Sequence, residues 1–593
     1  DGDGTLDFSV SGGGITHKLE GTNFTGSVIV GHDTTGTLSS AENNTALGLT
    51  ALDAITSGDD NTAIGYGALS AATTGHSNTA IGKNAGLLLT TGNENVFVGE
   101  RAGDACTEGT NNTGIGHKAL SDITTGSGIT AVGNDAGLSI TSGQQNTAIG
   151  SFALDAATTG GYNTAVGYQS LSGVTTGVQN VGLGVESGIG ITTGSRNTAL
   201  GSYTMQATTT GADNTALGNE AMIATTEGSN NVAVGGYALD ANTTGASNTA
   251  LGMRALTANT TASNNTSVGK DSMFANTTGA SNVAVGLSAL QNNTTASNNT
   301  ALGYTASFSN TTGANQTAVG FQALYSATTA GNNVALGHNA LFNTTTGDDN
   351  TGIGKGAMEN NTTGIYNVGV GMQALYTNTT GKFLTAVGYQ SLYNHNTTNS
   401  GGVNSTAVGY KSLFAETSGS QNTAVGANSL DALTTGENCT AVGTNALTAS
   451  TTASGNTAAG KDALIANTTG YGNTALGENA GETITTGAGN VFVGNNSGGG
   501  SSGVTTGIGN TFVGYQNESF GNNSNYQIVL GFDLKSVGDA TTFTFGRGTG
   551  NNRVHNNFDS NASFTRVSDV RYKDEIQDNT DCGLAFINDL RPV

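Results

Sequence analysis

Asn61-Thr62-Ala63-Ile64-Gly65, Tyr66-Gly67-Ala68-Leu69 and Ser70-Ala71-Ala72-Thr73-Thr74-Gly75-His76-Ser77 together form one 17-residue phrase that recurs along most of the chain. Its opening, Asn-Thr-Ala-(Val/Ile/Leu)-Gly, places a glycine at 48, 65, 82 and 99, and onward in equal steps to 388. Two insertions, of four residues before Gly409 and three before Gly514, interrupt a series that runs from Gly31 to Gly531 in 29 steps. Self-similarity at a fixed period is the signature of a stacked repeat, whose units cannot bury an apolar face alone. Positions are counted here from the key glycine, so that Asn61 is −4 and Leu69 is +4.

The residue types within a unit predict two short strands and two turns. Alternation sets Thr62 and Ile64 on one face and Ala63 on the other. The Thr slot is filled by Val at 96, 181 and 368, so it wants a β-branched shape, which suits a strand. A helical repeat fails, because Thr, Asn and two Gly per unit are poor helix formers and no 3.6-residue apolar stripe runs through them. Stacking at about 4.8 Å per coil would give a rod of roughly 140 Å with ladders of identical residues along it.

The units also compensate for one another. Most carry Leu or Met at +4, as in Leu69, Leu120 and Met222; some carry Gly there instead, at 86, 137, 188 and 481. Those units gain a large residue at +7, namely Leu89, Ile140, Ile191 and Ile484. Volume is conserved, as a densely packed core requires. The residue at +3 is small almost throughout (Ala51, Ala68, Ser170, Ser391), which predicts a close approach by the opposite wall of the coil or by another subunit. So thin a core would gain from burial between subunits, the physical motive for a homotrimer.

Composition excludes several function classes. Among 593 residues there are 93 Gly and one Pro, too little proline and the wrong glycine period for collagen. A net charge of −23 with 18 Lys and Arg makes nucleic acid an unexpected partner, and acidity is read as keeping a long particle soluble. Cys106, Cys439 and Cys582 lie far apart and read as buried small residues, not a disulfide framework or metal site. The seven His form no pair at metal spacing, and Asp59, Asp60, Asp348 and Asp349 read as solvated turn residues; no cofactor or metal is expected. Asp1-Gly2-Asp3-Gly4 reads as a flexible start, and its lack of Met fits a piece of a longer protein. No apolar run reaches the ~18 residues that a membrane span needs. Asn242, Asn259, Asn276, Asn293, Asn310, Asn361 and Asn378 each begin Asn-Thr-Thr, a formal glycosylation acceptor, but the pattern reads first as turn chemistry in a stacked loop. Adjacent Thr-Thr pairs cannot share one strand face, which leaves ice binding a remote alternative.

Two resemblances follow from these residues. The Asn-Thr-Ala-Val-Gly coils resemble the Asn-Ser-Val-Ala-Ile-Gly coils of trimeric autotransporter adhesin heads, implying a parallel β-roll associated as trimers; similar repeats occur in phage tail fibres. Ser568-Asp569-Val570-Arg571-Tyr572-Lys573-Asp574-Glu575-Ile576, with Gly583 to Val593, is similar to the opening of the endosialidase-type intramolecular chaperone domain. That family helps three chains to trimerise and commonly cuts itself off before the Ser of this motif. The resemblance implies attack by the Ser568 hydroxyl on the Val567 carbonyl, assisted by Lys573. Equally, these residues read as only the start of a fold, with no cleavage.

The expected molecule is therefore an all-β parallel β-solenoid (β-roll) of 17-residue coils, assembled as a homotrimeric fibre. Its expected divisions are a lead-in (1–22), a shaft (23–531), a β-rich connector (532–567) and the start of a chaperone-like domain (568–593). The expected role is a non-enzymatic shaft of a phage tail fibre or similar virion appendage that presents a surface to a glycan or protein receptor on the host. A bacterial cell-surface adhesin or extracellular filament is the alternative. Neither nucleic acid nor membrane insertion belongs to this reading.

Overall fold

The structure, a computed structural model, describes residues 17–19, 25–31, 38–396, 403–500, 503–538, 541–548, 552–557 and 565–566. The chain divides into two compact units, Asp1–Asn332 and Asn333–Val593. Both are parallel β-solenoids of 17-residue coils, as the repeat predicts.

In the first unit, His17–Leu19 pairs antiparallel with Val28–Val30. Every later strand is three residues long and lies parallel to the strand one repeat away, in equal register: Thr45 over Thr62, Ala46 over Ala63, Leu47 over Ile64. The second unit repeats this from Val334–Leu336 to Thr511–Val513. Register survives both insertions, since Thr385 pairs with Thr406 and Val491 with Thr511. Thr542–Arg547 still pairs parallel with Ile528–Phe532, and beyond it the ladder turns antiparallel, with Thr542–Arg547 against Arg553–Asn557.

Only one of the two expected strands per coil forms. Position −3 to −1 is the strand, while the Tyr66–Leu69 segment is a turn, because +2 and +4 adopt left-handed backbone (Gly67 at φ 70°, Leu69 at φ 49°). A left-handed Leu costs about 1–2 kcal/mol. Burying its side chain completely is worth about 1.5–3 kcal/mol, so burial wins. The same geometry explains why Gly alternates with Leu at +4. In Gly units the +7 side chain moves into the space: an added Cβ at Gly137 would lie 3.0 Å from Ile140 Cδ1. Phe97, which replaces the usual Ala at −2, likewise needs Gly86 and Gly103 at +4 on either side of its ring.

The core of each coil holds the residues at −4, −2, +3, +4 and +7, nearly all without solvent exposure. The small +3 residue meets its own coil, not a second subunit: Ala51 and Ala68 are wholly buried within the single chain. The Asn-Thr-Thr residues of the +7 row, Asn242 and Asn259 among them, are also wholly buried. Asn259 Nδ2 donates to Asn242 Oδ1 at 2.9 Å, so this row is a core ladder that no glycosyl group can reach in the folded chain.

The −4 Asn row joins the coils most closely. Asn180 Nδ2 donates to the Gly194 carbonyl at 2.9 Å and to Asn163 Oδ1 at 3.2 Å. Its own Oδ1 accepts the Asn197 backbone N–H at 2.9 Å. Asn180→Ala would strand these groups in the core at about 1–3 kcal/mol each. Hydrogen exchange should therefore show the local opening free energy of the adjoining coils falling by about 2–4 kcal/mol. Ala at the exposed Gln179 should change it by less than about 0.5 kcal/mol.

Candidate functional site

The residues at −3 and −1 point outward from the strand, and Ala or its substitute at −2 points in. Sequence alternation separated these two faces without saying which lay inside. The narrow coil decides it: opposite the strand stand +3 and +4, and where +4 is Leu or Met little more than a methyl group fits between.

The outcome is an aliphatic ladder on the outside. Position −1 is Val, Ile or Leu in every coil from Val30 to Leu530, except for Ala459. Several of these side chains are substantially exposed, including Leu47 at 53%, Leu183 and Leu217 at 47% and Leu302 at 46%. Beside it, position −3 is Thr, Val or Ile throughout the same span. The exposed +1 row behaves differently, with Tyr66, Lys83, Glu100 and His117 in consecutive coils. Solvent would tolerate any polar residue at −1, yet none occurs there. Exposed Leu scattered singly needs no explanation, but a contiguous ladder does.

Aromatic side chains stack from coil to coil on other rows. Tyr376, Tyr393 and Phe414 at +5 lie with centroids 5.1 and 5.3 Å apart, and Tyr389 on Tyr410 at +1 with centroids 5.4 Å apart. Lys411 Nζ sits 5.1 Å from the Phe414 ring centroid. Ion pairs also bridge coils at the surface, as in Arg196 to Asp213 at 2.6 Å. Among the described residues no group of three His, Cys, Asp or Glu could hold a metal ion. One cavity of about 270 Å³ is lined by Glu482, Glu518 and Asp533 beside Asn496 and Gln516.

The residues singled out in the sequence fare differently. Ser568 and Lys573, with Cys582, lie outside the described residues. Asp60, Asp348 and Asp349 are exposed in turns, and Asp59, next to Asp60, is half-buried. Cys106 and Cys439 are free and buried. One pair escaped sequence reading altogether: His395 and Glu416 fall at +7 in consecutive coils and meet in the core. Their shared register position is the signal that could have found them.

Compared with protein-family models the chain matches none, and it matches no curated protein.

Burial pushes the Cys106 thiol up to about 12. The thiolate is the reactive form, so at pH 8 it should be roughly a thousandfold scarcer than in an exposed cysteine of pKa near 8.5. In a Cys582→Ser background, a thiol reagent should label neither remaining cysteine until denaturant is added. Rapid labelling of the native chain would contradict the packing of Cys106.

Proposed function

We propose that this chain is the shaft of a homotrimeric fibre, a phage tail fibre or similar virion appendage, whose task is mechanical: to hold a receptor-binding surface in place. The observation that carries the reading is the exposed aliphatic ladder at −1. Burying an aliphatic side chain completely removes roughly 60–120 Å² from water. Half-exposed Val, Ile and Leu therefore offer about 40 Å² per coil, or about 700 Å² over the 18 parallel strands of the first unit. That is close to the ~800 Å² per partner of a stable protein interface and above the ~300–600 Å² patch of a typical monomer.

Charge supports the same choice of face. A chain of net charge −23 repels its copies, and a neutral, apolar strip is where repulsion is weakest and desolvation most favourable. The threefold number is supported by the resemblance of the coils to adhesin heads, and the virion setting by the Ser568–Ile576 motif. A surface adhesin or extracellular filament would use the same shaft.

Light scattering on the purified chain should give three times its 58.8 kDa mass. Leu183→Lys with Leu217→Lys and Leu251→Lys should yield a monomer that keeps its β spectrum, because these side chains are not part of the coil's own core. A wild-type monomer at micromolar concentration contradicts the fibre reading. Thermal hysteresis from such a monomer would favour ice binding by the same face. Where the motif cleaves itself, mass spectrometry should find a product ending at Val567, and Ser568→Ala should abolish it.

A further inference from the structure

In one place along the outward +1 row two tyrosines follow each other: Tyr389 in the coil keyed on Gly388 and Tyr410 in the next, keyed on Gly409. Their rings are stacked, with centroids 5.4 Å apart and planes 9° from parallel. Tyr389 is 38% exposed and Tyr410 50%, so both phenols can be reached from solvent. The backbone holds them side by side, since the Lys411 N–H donates to the Tyr389 carbonyl at 2.9 Å. Within the repeats, Tyr376 and Tyr393 at +5 are the other tyrosines that share a register position in consecutive coils. Elsewhere the next coil offers Phe, as from Tyr304 to Phe321, or a residue of another kind.

A tie between these two coils would fall where the stack is weakened. The four-residue insertion lies between them in the chain, so Tyr410 follows Tyr389 by 21 residues instead of 17. The core they enclose leaves both imidazole nitrogens of His395, and Glu416 Oε2, without hydrogen-bond partners, which costs stability. Among the described residues the cysteines, Cys106 and Cys439, are free and buried, so no disulfide fastens these coils.

We propose that Tyr389 and Tyr410 form a modification site, at which a one-electron oxidant of phenols joins the two rings into a dityrosine staple. Each phenol gives up one electron and its hydroxyl proton, leaving a neutral radical whose spin lies partly on the ring carbons ortho to the oxygen. Two such radicals on neighbouring rings form a Cε–Cε bond, and the hydrogen on each bonded carbon then moves to its oxygen, restoring both phenols. In sum two C–H bonds give way to one C–C bond, two protons go to water and two electrons go to two equivalents of the oxidant. Proximity supplies the selectivity, because Tyr389 and Tyr410 are already in contact, whereas a radical on an isolated tyrosine must wait for a second chain. The staple closes a loop of about 20 residues and constrains the unfolded chain as a disulfide does. Tyr376 and Tyr393 are half-buried, and Phe414 also stacks on Tyr393, so an oxidant reaches that pair less readily. The site lies within one chain and does not depend on the fibre reading.

The test is brief illumination of the dilute full chain with ruthenium trisbipyridyl and persulfate, followed by mass spectrometry. Trypsin cuts after Lys382 and Lys411, so Tyr389 and Tyr410 share one peptide, 383–411. That peptide should appear lighter by two hydrogen atoms, and chymotryptic cleavage after Leu392 should leave its two halves joined. Tyr389→Phe and Tyr410→Phe, which keep the stacked ring, should each abolish the linkage. Unfolding the chain in urea before illumination should lower its yield at least about fivefold. Ala427→Tyr in the Tyr389→Phe chain should restore a linkage, now from Tyr410 to position 427 at +1 of the following coil. The proposal is overturned if the native chain shows oxidised tyrosines but no linked peptide, or if the yield is the same in urea. A linkage that persists in either Phe variant, or that Ala427→Tyr does not restore, overturns it as well.

Discussion

A buried amide that reaches from one coil to the next is the interaction on which this structure depends. Each −4 Asn uses its carbonyl oxygen to receive the following coil and its NH₂ to hold the turn of its own coil, as Asn61 does with Asn78 and Gly75. No other short side chain supplies a donor and an acceptor at fixed geometry. Because the bonds lie in a core, leaving any of them unmade is costly, and a coil shifted by one residue would leave them all unmade. The row thus sets register as well as stability. Where it is interrupted, at Ile129, Leu384 and Cys439, the backbone N–H still reaches the preceding Asn oxygen, so a single break is tolerated.

The key glycine is the second constraint. Gly133 adopts φ 142°, and a Cβ there would lie 2.5 Å from the carbonyl oxygen of Gly150 in the next coil. Coils therefore approach closely where the strand ends. The Thr row at +8 adds a further link, its hydroxyl donating to the carbonyl of the next Thr, as from Thr56 to Thr73 at 2.9 Å. Together these contacts tie each coil to its neighbours at several points around its circumference.

The period of 17, the strand at −3 to −1 and the exchange of volume between +4 and +7 were legible in the residues, because each leaves a pattern that repetition makes visible. The turn at Tyr66–Leu69 was not, since left-handed Leu runs against ordinary preference and only the full burial of Leu69 explains it. Nor was the sidedness of the strand. Ile64 would ordinarily go inside and Ala63 outside; the width of the coil reverses them. The outward aliphatic row, the feature with most bearing on function, thus followed from a geometric limit that composition does not encode. The His395–Glu416 contact was hidden by an insertion that moves the two residues 21 apart in sequence while keeping them one coil apart in space.

In each unit the outward aliphatic row, on a chain of net charge −23, is the face on which the proposed fibre would join its copies. This joins the packing of a single coil to the proposed work of the fibre. All of it requires the coils to be stacked in register. Fibre diffraction from oriented chain, or a map by electron microscopy, measures that stacking directly. The account predicts an axial repeat near 4.8 Å, the separation of paired strands. A pattern lacking that spacing, with a mostly helical circular dichroism spectrum, would contradict it.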